Sequence, residues 1–431
     1  MEDEFRLLPN KRKIINDPLY GFINLPSPFH YDLIDHPWFQ RLRRIRQLGM
    51  TFYVYPSANH TRFQHTLGAA HLMNMALDVI ARKDYPVSPS ERDAAIAAIL
   101  LHDIGHGPFS HALENSIVQK VGHERLSVLF MEKLNREYGG ELDLTLRIFQ
   151  DEYSRSFLHQ LVSSQLDMDR LDYLNRDSFF TGVTEGVVGS ERIIKMLKVV
   201  DDQLVVERKG IYSVERYLIS RRLMYWQVYL HKTVMAAEQM LVKTLSRARE
   251  LAFNGTELFT TPALREFLYP GPLSESPLRD PDRLLESFAG LDDTDVFASV
   301  KVWAAHSDRL LSFLAGGLLN RSLFGIRIRK TPWDEEIIRD LRKQVVDRMG
   351  FSEAEAAYLV FSDIITNNTY AENDDQIYLY ENSGHLVTLP DASDIINIPM
   401  LGQSDQKYYL CFPKWLFAVP GNIGTQGFVN V

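Results

Sequence analysis

Apolar residues recur at helical spacing through most of the chain. Phe63, Leu67, Ala70, Met73, Leu77 and Ile80 trace one face of a helix that Asn59 or Thr61 can cap. Residues 94–101 form an unbroken apolar run behind a Ser88 or Ser90 cap, and Gly105, Gly107 and Pro108 stop that helix soon after its end. The same reading predicts helices over 31–35, 37–47, 109–120, 122–138, 157–176, 214–251 and 284–319. Residues 13–25 read as strand, turn and strand, 52–55 as a short extended piece, and 203–209 (QLVVERK) as a strand. A Pro-, Ser- and Gly-rich stretch over 262–281 reads as a loop with one short helix. Beyond Phe324 the texture changes to a helix followed by QIYLYEN and HLVTL, a hairpin around Asn382, Ser383 and Gly384. The expectation is a mainly α protein, with a helical body over 1–323 and a smaller α+β appendage over 324–431.

Composition narrows the class. With 431 residues, 45% hydrophobic and 24% charged, the chain has the make-up of a soluble globular protein with a large core. A net charge of −9 argues against a broad nucleic-acid footprint. The single cysteine, Cys411, excludes an intrachain disulfide and a Cys-rich zinc site. The N-terminal MEDEFRLLPNKRK has no apolar core of a signal peptide, and no apolar run reaches the length of a membrane span. A cytoplasmic setting is expected.

The candidate chemistry centres on ILLHDIGHGPFSH, residues 99–111, where an apolar helix delivers His102 and Asp103 side by side. Burying such a pair is costly without compensation, and a divalent ion such as Mn, Fe, Ni, Zn or Mg supplies it. His106 follows one helical turn later and His111 lies beyond it. His65 stands beside Arg62 near the start of an earlier helix, and His123 and Glu124 open a later one. Asp167, Asp169, Asp172 and Asp177 crowd QLDMDRLDYLNRD, although Asp is a poor helix-interior residue. Arg41, Arg43, Arg44 and Arg46 make the 37–47 helix basic, either as a solvated face or as an anion-binding surface.

His65, the His102-Asp103 pair and Asp169, taken with RFQHTLG, HDIGHGPFSH, DMDRLDY and YLHK in that order over 13–232, resemble the HD-domain metal phosphohydrolase superfamily. The likeness is nearest to its dNTP triphosphohydrolase branch. It implies an HD-domain helical core in which His65, His102, Asp103 and Asp169 hold one divalent metal. It implies hydrolysis of a deoxynucleoside triphosphate to deoxynucleoside and tripolyphosphate, with His106 and His123 as proton-transfer candidates and Glu124 orienting His123. Where relatives carry an assisting Asp, this chain has Glu114. Arg62, His111, Arg170, Tyr173 and Arg221 would face the phosphates. Gln47 and Asp177 would hold the sugar 3′-hydroxyl, and Leu48 and Tyr229 would crowd the 2′ position. Leu230 and Tyr225 replace a family glutamine and histidine, a departure on the base side.

The resemblance also assigns Lys13, Asn16, Asp35, Gln40 and Arg43 to a GTP or dGTP activator held between subunits of a homo-oligomer, a dimer or tetramer. Two other readings stand beside this one: an HD phosphohydrolase or phosphodiesterase acting on another nucleotide, and a non-catalytic nucleotide sensor or nucleic-acid binder.

Overall fold

A computed structural model describes residues 14–109, 113, 121–365, 376–393 and 406–417. Lys13, His111 and Glu114, and nearly all of the helix expected over 109–120, lie outside these residues. The described chain is mainly helical, with small sheets. It divides into two units. The first takes described residues within Met1–Tyr229, Thr260–Phe297 and Asn368–Gln403, and the second those within Leu230–Phe259, Ala298–Asn367 and Ser404–Val431. The sequence reading draws one boundary after residue 323 instead. The units interleave because the 214–251 stretch breaks near Tyr229, and because a late hairpin returns to an earlier strand.

In the first unit, β1 (Ile15–Asp17) and β2 (Gly21–Ile23) form the expected N-terminal hairpin, with Ile15 opposite Ile23. Asp17 Oδ1 accepts the Leu19 and Tyr20 N–H groups at 2.9 and 3.1 Å and closes the turn. Helix α1 (Pro28–Asp35) precedes a short α2 (Pro37–Gln40). The single helix expected over 37–47 stops there, because Arg41–Arg44 tighten into a 3-10 turn and Ile45 is extended. The basic run is not a uniformly solvated face. Arg41 is fully buried, with Nη1 on the Leu291 carbonyl at 3.0 Å and Nη2 on the Ile104 carbonyl at 2.8 Å. Arg44 pairs with Asp292, and Arg46 with Asp293 at 3.4 Å. Thr51–Tyr53 is also a 3-10 turn, where an extended piece is expected.

The core is built on α3 (Arg62–Arg82) and α4 (Pro89–Leu101), which pack together. Thr61 and Gln64 form a capping box at the start of α3. Ser88 and Glu91 form another on α4, with Pro89 in the first turn, where its missing N–H costs nothing. Every residue from Ala94 to Leu101 is buried, so this part of α4 is enclosed on all sides rather than amphipathic. Further on come α5 (His123–Glu137), α6 (Asp143–Phe149) and α7 (Ser156–Val162). The helix expected over 157–176 is two: α7 ends at Val162, and Asp167 caps a new helix, α8 (Met168–Thr181), accepting from Arg170 N at 2.7 Å. Helix α9 (Ser190–Met196) leads into β3 (Leu197–Val200) and β4 (Gln203–Glu207).

The long helix expected over 214–251 is interrupted. Helix α10 (Ile211–Met224) passes into a π-helical turn at Tyr225–Tyr229, and His231 caps α11 (Lys232–Phe253), which belongs to the second unit. The 262–281 stretch holds two short helices, α12 (Pro262–Leu268) and α13 (Pro272–Glu275), rather than one. Residues 284–319 carry three: α14 (Pro281–Ala289), α15 (Asp293–Trp303) and α16 (Arg309–Leu319). In the second unit β5 (Gly325–Arg329), β9 (Lys407–Phe412) and β6 (Phe361–Ile365) form an antiparallel sheet in that order. The expected hairpin around Asn382, Ser383 and Gly384 joins β7 (Tyr378–Tyr380) to β8 (Leu386–Thr388), and β7 extends β4 in parallel within the first unit. No helix among the described residues is long and apolar enough to cross a membrane.

Glu91 anchors the start of α4. It accepts Ser88 N–H at 2.8 Å, Arg155 Nη1 at 2.8 Å and Tyr153 O–H at 3.0 Å. Burial disfavours its charge, but Arg155 and Ser88 outweigh that and hold the carboxyl at about 2, below its ordinary value. The lowered acid stabilises the fold above pH 4.5, and that contribution fades as pH falls toward 2. Glu91→Gln should therefore cost about 2 kcal/mol at pH 7, with the difference shrinking on acidification, as read by urea unfolding across a pH series.

Candidate active site

His102 ends α4, and its Nδ1 lies 2.6 Å from the carbonyl of Ile99. A carbonyl only accepts, so Nδ1 carries the proton and Nε2 presents a lone pair. His65, in the first turn of α3, places Nδ1 2.7 Å from Asp172 Oδ2, and its Nε2 is likewise left as the free face. Both Nε2 atoms are buried and make no hydrogen bond. They face the same two acids. Asp169 Oδ1 lies 2.9 Å from His65 Nε2 and 3.5 Å from His102 Nε2. Asp103 approaches His102 at 3.3 Å and His65 at 3.8 Å.

Among the described residues, the guanidiniums of Arg62 and Arg176 pair with Asp103, Asp17 and Asp172, while Asp169 faces the two imidazoles. Arg62 Nη1 sits 2.5 Å from Asp103, and Arg176 spans Asp172 and Asp17. Burial raises the cost of charge on Asp169, but His102 and His65 outweigh it and hold the acid well below the carboxylate range. Burial favours neutral His65, yet Asp169 and Asp172 carry it up to about 10. The same field favours any cation at Nε2.

A second layer holds these groups in place. Asp172 accepts Arg176 Nε and Nη2 at 2.9 and 3.0 Å, a bidentate pair. Gly68 lets this pair lie against α3, since a Cβ there would overlap Asp172 Oδ1 and Arg176 Nη2. Ser127 of α5 donates to the His102 carbonyl at 2.7 Å and accepts Gly105 N–H at 3.0 Å. A Cβ at Gly105 would strike the His123 carbonyl, so α5 sits directly on the turn. His106 is buried, 3.2 Å from Asp103 Oδ1, and its ring stacks on half-buried His123 with centroids 4.0 Å apart. Burial and then Arg62 push His106 well below its ordinary value, so its imidazole is neutral. Glu124 is exposed in the first turn of α5.

A row of aromatics leads away from the acids. Tyr173 lies 6.5 Å from the His65 ring and 6.3 Å from Tyr229, on the π-helical turn. Tyr229 O–H donates to Asp177 Oδ2 at 2.8 Å, and His60 Nε2 contacts Asp177 Oδ1 at 2.7 Å. The His60 carbonyl accepts Gln47 N–H at 3.0 Å, and Gln47 Oε1 is buried with no hydrogen bond. Leu48 is half-buried beside it in sequence. Arg170 pairs with Asp167, and Arg221 donates to Gln165 at 2.9 Å. Asn16 and Asp35 are exposed, and Arg43 donates to Gln40 at 2.8 Å while covering the Phe63 ring.

Residues 62–176 match the HD domain model, and 188–260 match the HD associated region. An uncharacterized Bacillus subtilis protein, YwfO, is 34% identical over 323 residues, 73% of this chain and 72% of that one. The chain belongs to the HD-domain phosphohydrolase superfamily, in its dNTPase-like branch. A crystal structure of a phosphohydrolase from Bacteroides thetaiotaomicron superposes on this HD phosphohydrolase with a TM-score of 0.89 at 51% identity, covering 93% of this chain and 100% of that one. Human deoxynucleoside triphosphate triphosphohydrolase SAMHD1 is 31% identical over 280 residues, which span 55% of this chain and 44% of the human one. The chain thus spans less than half of that relative's length.

HD domains bind divalent metals, and the donor set here fits one. His65, His102 and Asp169 bring one ligand atom each within 4.8 Å of one another, with two orphaned buried imidazole nitrogens among them. Asp103 lies within reach as a fourth donor. Three residues escaped the sequence reading as site members: Asp172 and Arg176, which aim His65, and His60, which braces Asp177. The crowding of acids in DMDRLDY signalled the first, and nothing in the sequence marked the others. His102→Ala or Asp169→Ala should abolish tight divalent-metal binding while circular dichroism keeps its helical signal, and elemental analysis after desalting reads the loss.

Proposed function

We propose that this HD phosphohydrolase is a metal-dependent dNTP triphosphohydrolase. The observation that carries the reading is that one helix, α8, bears both Asp169 at the metal cluster and Asp177 in a hydrogen-bonded pair with Tyr229, the positions this reading gives to the two ends of a substrate. The curated names of its SAMHD1 relatives, from human, cow, mouse and Dictyostelium, point the same way.

A bound divalent ion supplies Lewis-acid polarisation of the α-phosphate. Arg62, His111, Arg170, Tyr173 and Arg221 are assigned to the phosphates, whose charge grows as water attacks. The water oxygen bonds to the α-phosphorus, and the bond from phosphorus to the 5′-oxygen breaks. The water proton ends on the 5′-oxygen, giving deoxynucleoside and tripolyphosphate. His106 and His123 form the stacked pair assigned to move it, with Glu124 and Glu114 as their supports. Gln47 and Asp177 are assigned to the 3′-hydroxyl, and Leu48 and Tyr229 to the space a 2′-hydroxyl would need. Lys13, Asn16, Asp35, Gln40 and Arg43 are assigned to a guanine nucleotide that activates a homo-oligomer.

Incubation with each dNTP and Mn or Mg should release tripolyphosphate, and stimulation by GTP with a shift in oligomer size would support the activator assignment. Release of pyrophosphate or of orthophosphate alone would move the chain to another nucleotide phosphohydrolase. His123→Ala should keep its metal and lower kcat by about a hundredfold, in steady-state assays alongside metal content.

A further inference from the structure

The N-terminal hairpin reaches the metal cluster through an unbroken run of buried charges. Asp17 uses its two oxygens for different tasks. Oδ1 closes the β1–β2 turn, and Oδ2 accepts Arg176 Nη1 at 2.7 Å. Arg176 is fully buried and turns Nε and Nη2 to Asp172. Asp172 is fully buried as well, and its Oδ2 is shared: it accepts Arg176 Nε at 2.9 Å and lies 2.7 Å from His65 Nδ1. His65 then offers Nε2 to the cluster.

We infer that Asp17 is a positioning residue for the metal ligand His65, acting through Arg176 and Asp172, so that the hairpin helps to set metal affinity. The shared oxygen is the reason. Arg176 and His65 compete for Asp172 Oδ2, and the balance depends on how much of the guanidinium charge Asp17 takes. Without Asp17, a buried guanidinium draws fully on Asp172, and the hydrogen bond that fixes the His65 tautomer and raises its donor strength weakens. The pair has no room to readjust, because the α3 backbone at Gly68 lies against both Asp172 and Arg176. On the other side the Tyr20 ring, from the same hairpin, lies 5.7 Å from the guanidinium. The charge therefore cannot relax into solvent. Hairpin closure and His65 orientation are joined through one carboxylate.

The test is Mn titration of the metal-stripped full-length chain, with free Mn read by electron paramagnetic resonance. Asp17→Asn should weaken Mn binding by about tenfold, the low end for loss of a partner behind a ligand, with a changed spectrum for the bound ion. Asp17→Glu, which keeps the charge, should recover affinity. Wild-type Mn affinity in Asp17→Asn, or a Glu variant as weak as the Asn variant, would overturn the inference. If Asp17→Asn does not fold, Pro18→Gly loosens the exposed turn without removing a charge. Weaker Mn binding there supports the coupling, and unchanged binding refutes it. The readout is metal binding, so the outcome is independent of which nucleotide the enzyme hydrolyses.

Discussion

The structure depends on keeping charge in a dry place. Two imidazole nitrogens and several carboxylates converge where α3, α4 and α8 meet, in a core otherwise filled by aliphatic and aromatic side chains. Such a group is expensive to bury unless its charges are matched and its hydrogen bonds made. Arg62 and Arg176 pair with Asp103, Asp17 and Asp172, and the two imidazoles face Asp169. The order of the helices follows from this need. The second half of α4, Ala94 to Leu101, is wholly buried and apolar, and it delivers His102 and Asp103 to the centre.

The packing around the turn shows how that arrangement is kept. Ser127 grips both the carbonyl of His102 and the amide of Gly105, and two glycines, Gly68 and Gly105, allow close approaches that any side chain would block. Glycine is used here for clearance rather than for an unusual backbone angle. The result is a site held from behind by hydrogen bonds, with the Nε2 atoms of His65 and His102 left without a hydrogen bond.

Much of the site was legible in the sequence because its parts are local strings. An apolar run ending in His-Asp-x-Gly-His and an acid-rich helix carry their chemistry in their spacing, and the structure places His65, His102, Asp103 and Asp169 together. What was not legible is what long-range partners decide. Arg41 looks like its exposed neighbours until Leu291 and Ile104 offer carbonyls to it. The break at Tyr225–Tyr229 lies inside an even helical pattern, and no proline or glycine announces it. The break before Asp167 is set by a cap within a run whose apolar spacing continues. His60 sits next to a capping threonine, and only the fold brings it to Asp177, 117 residues away.

Helix α8 has one more property. Asp169, Asp172, Tyr173, Arg176 and Asp177 all project from a single rigid rod, and a helix advances by about 1.5 Å and turns by about 100° with each residue. The interval between the acid at the cluster and the acid beneath Tyr229 is thus a fixed length that side-chain substitution elsewhere does not alter. Adding or deleting one residue within the rod would swing one end a quarter-turn out of line. A different spacing between these two acids has to come from a change in the helix itself, because the rod cannot stretch.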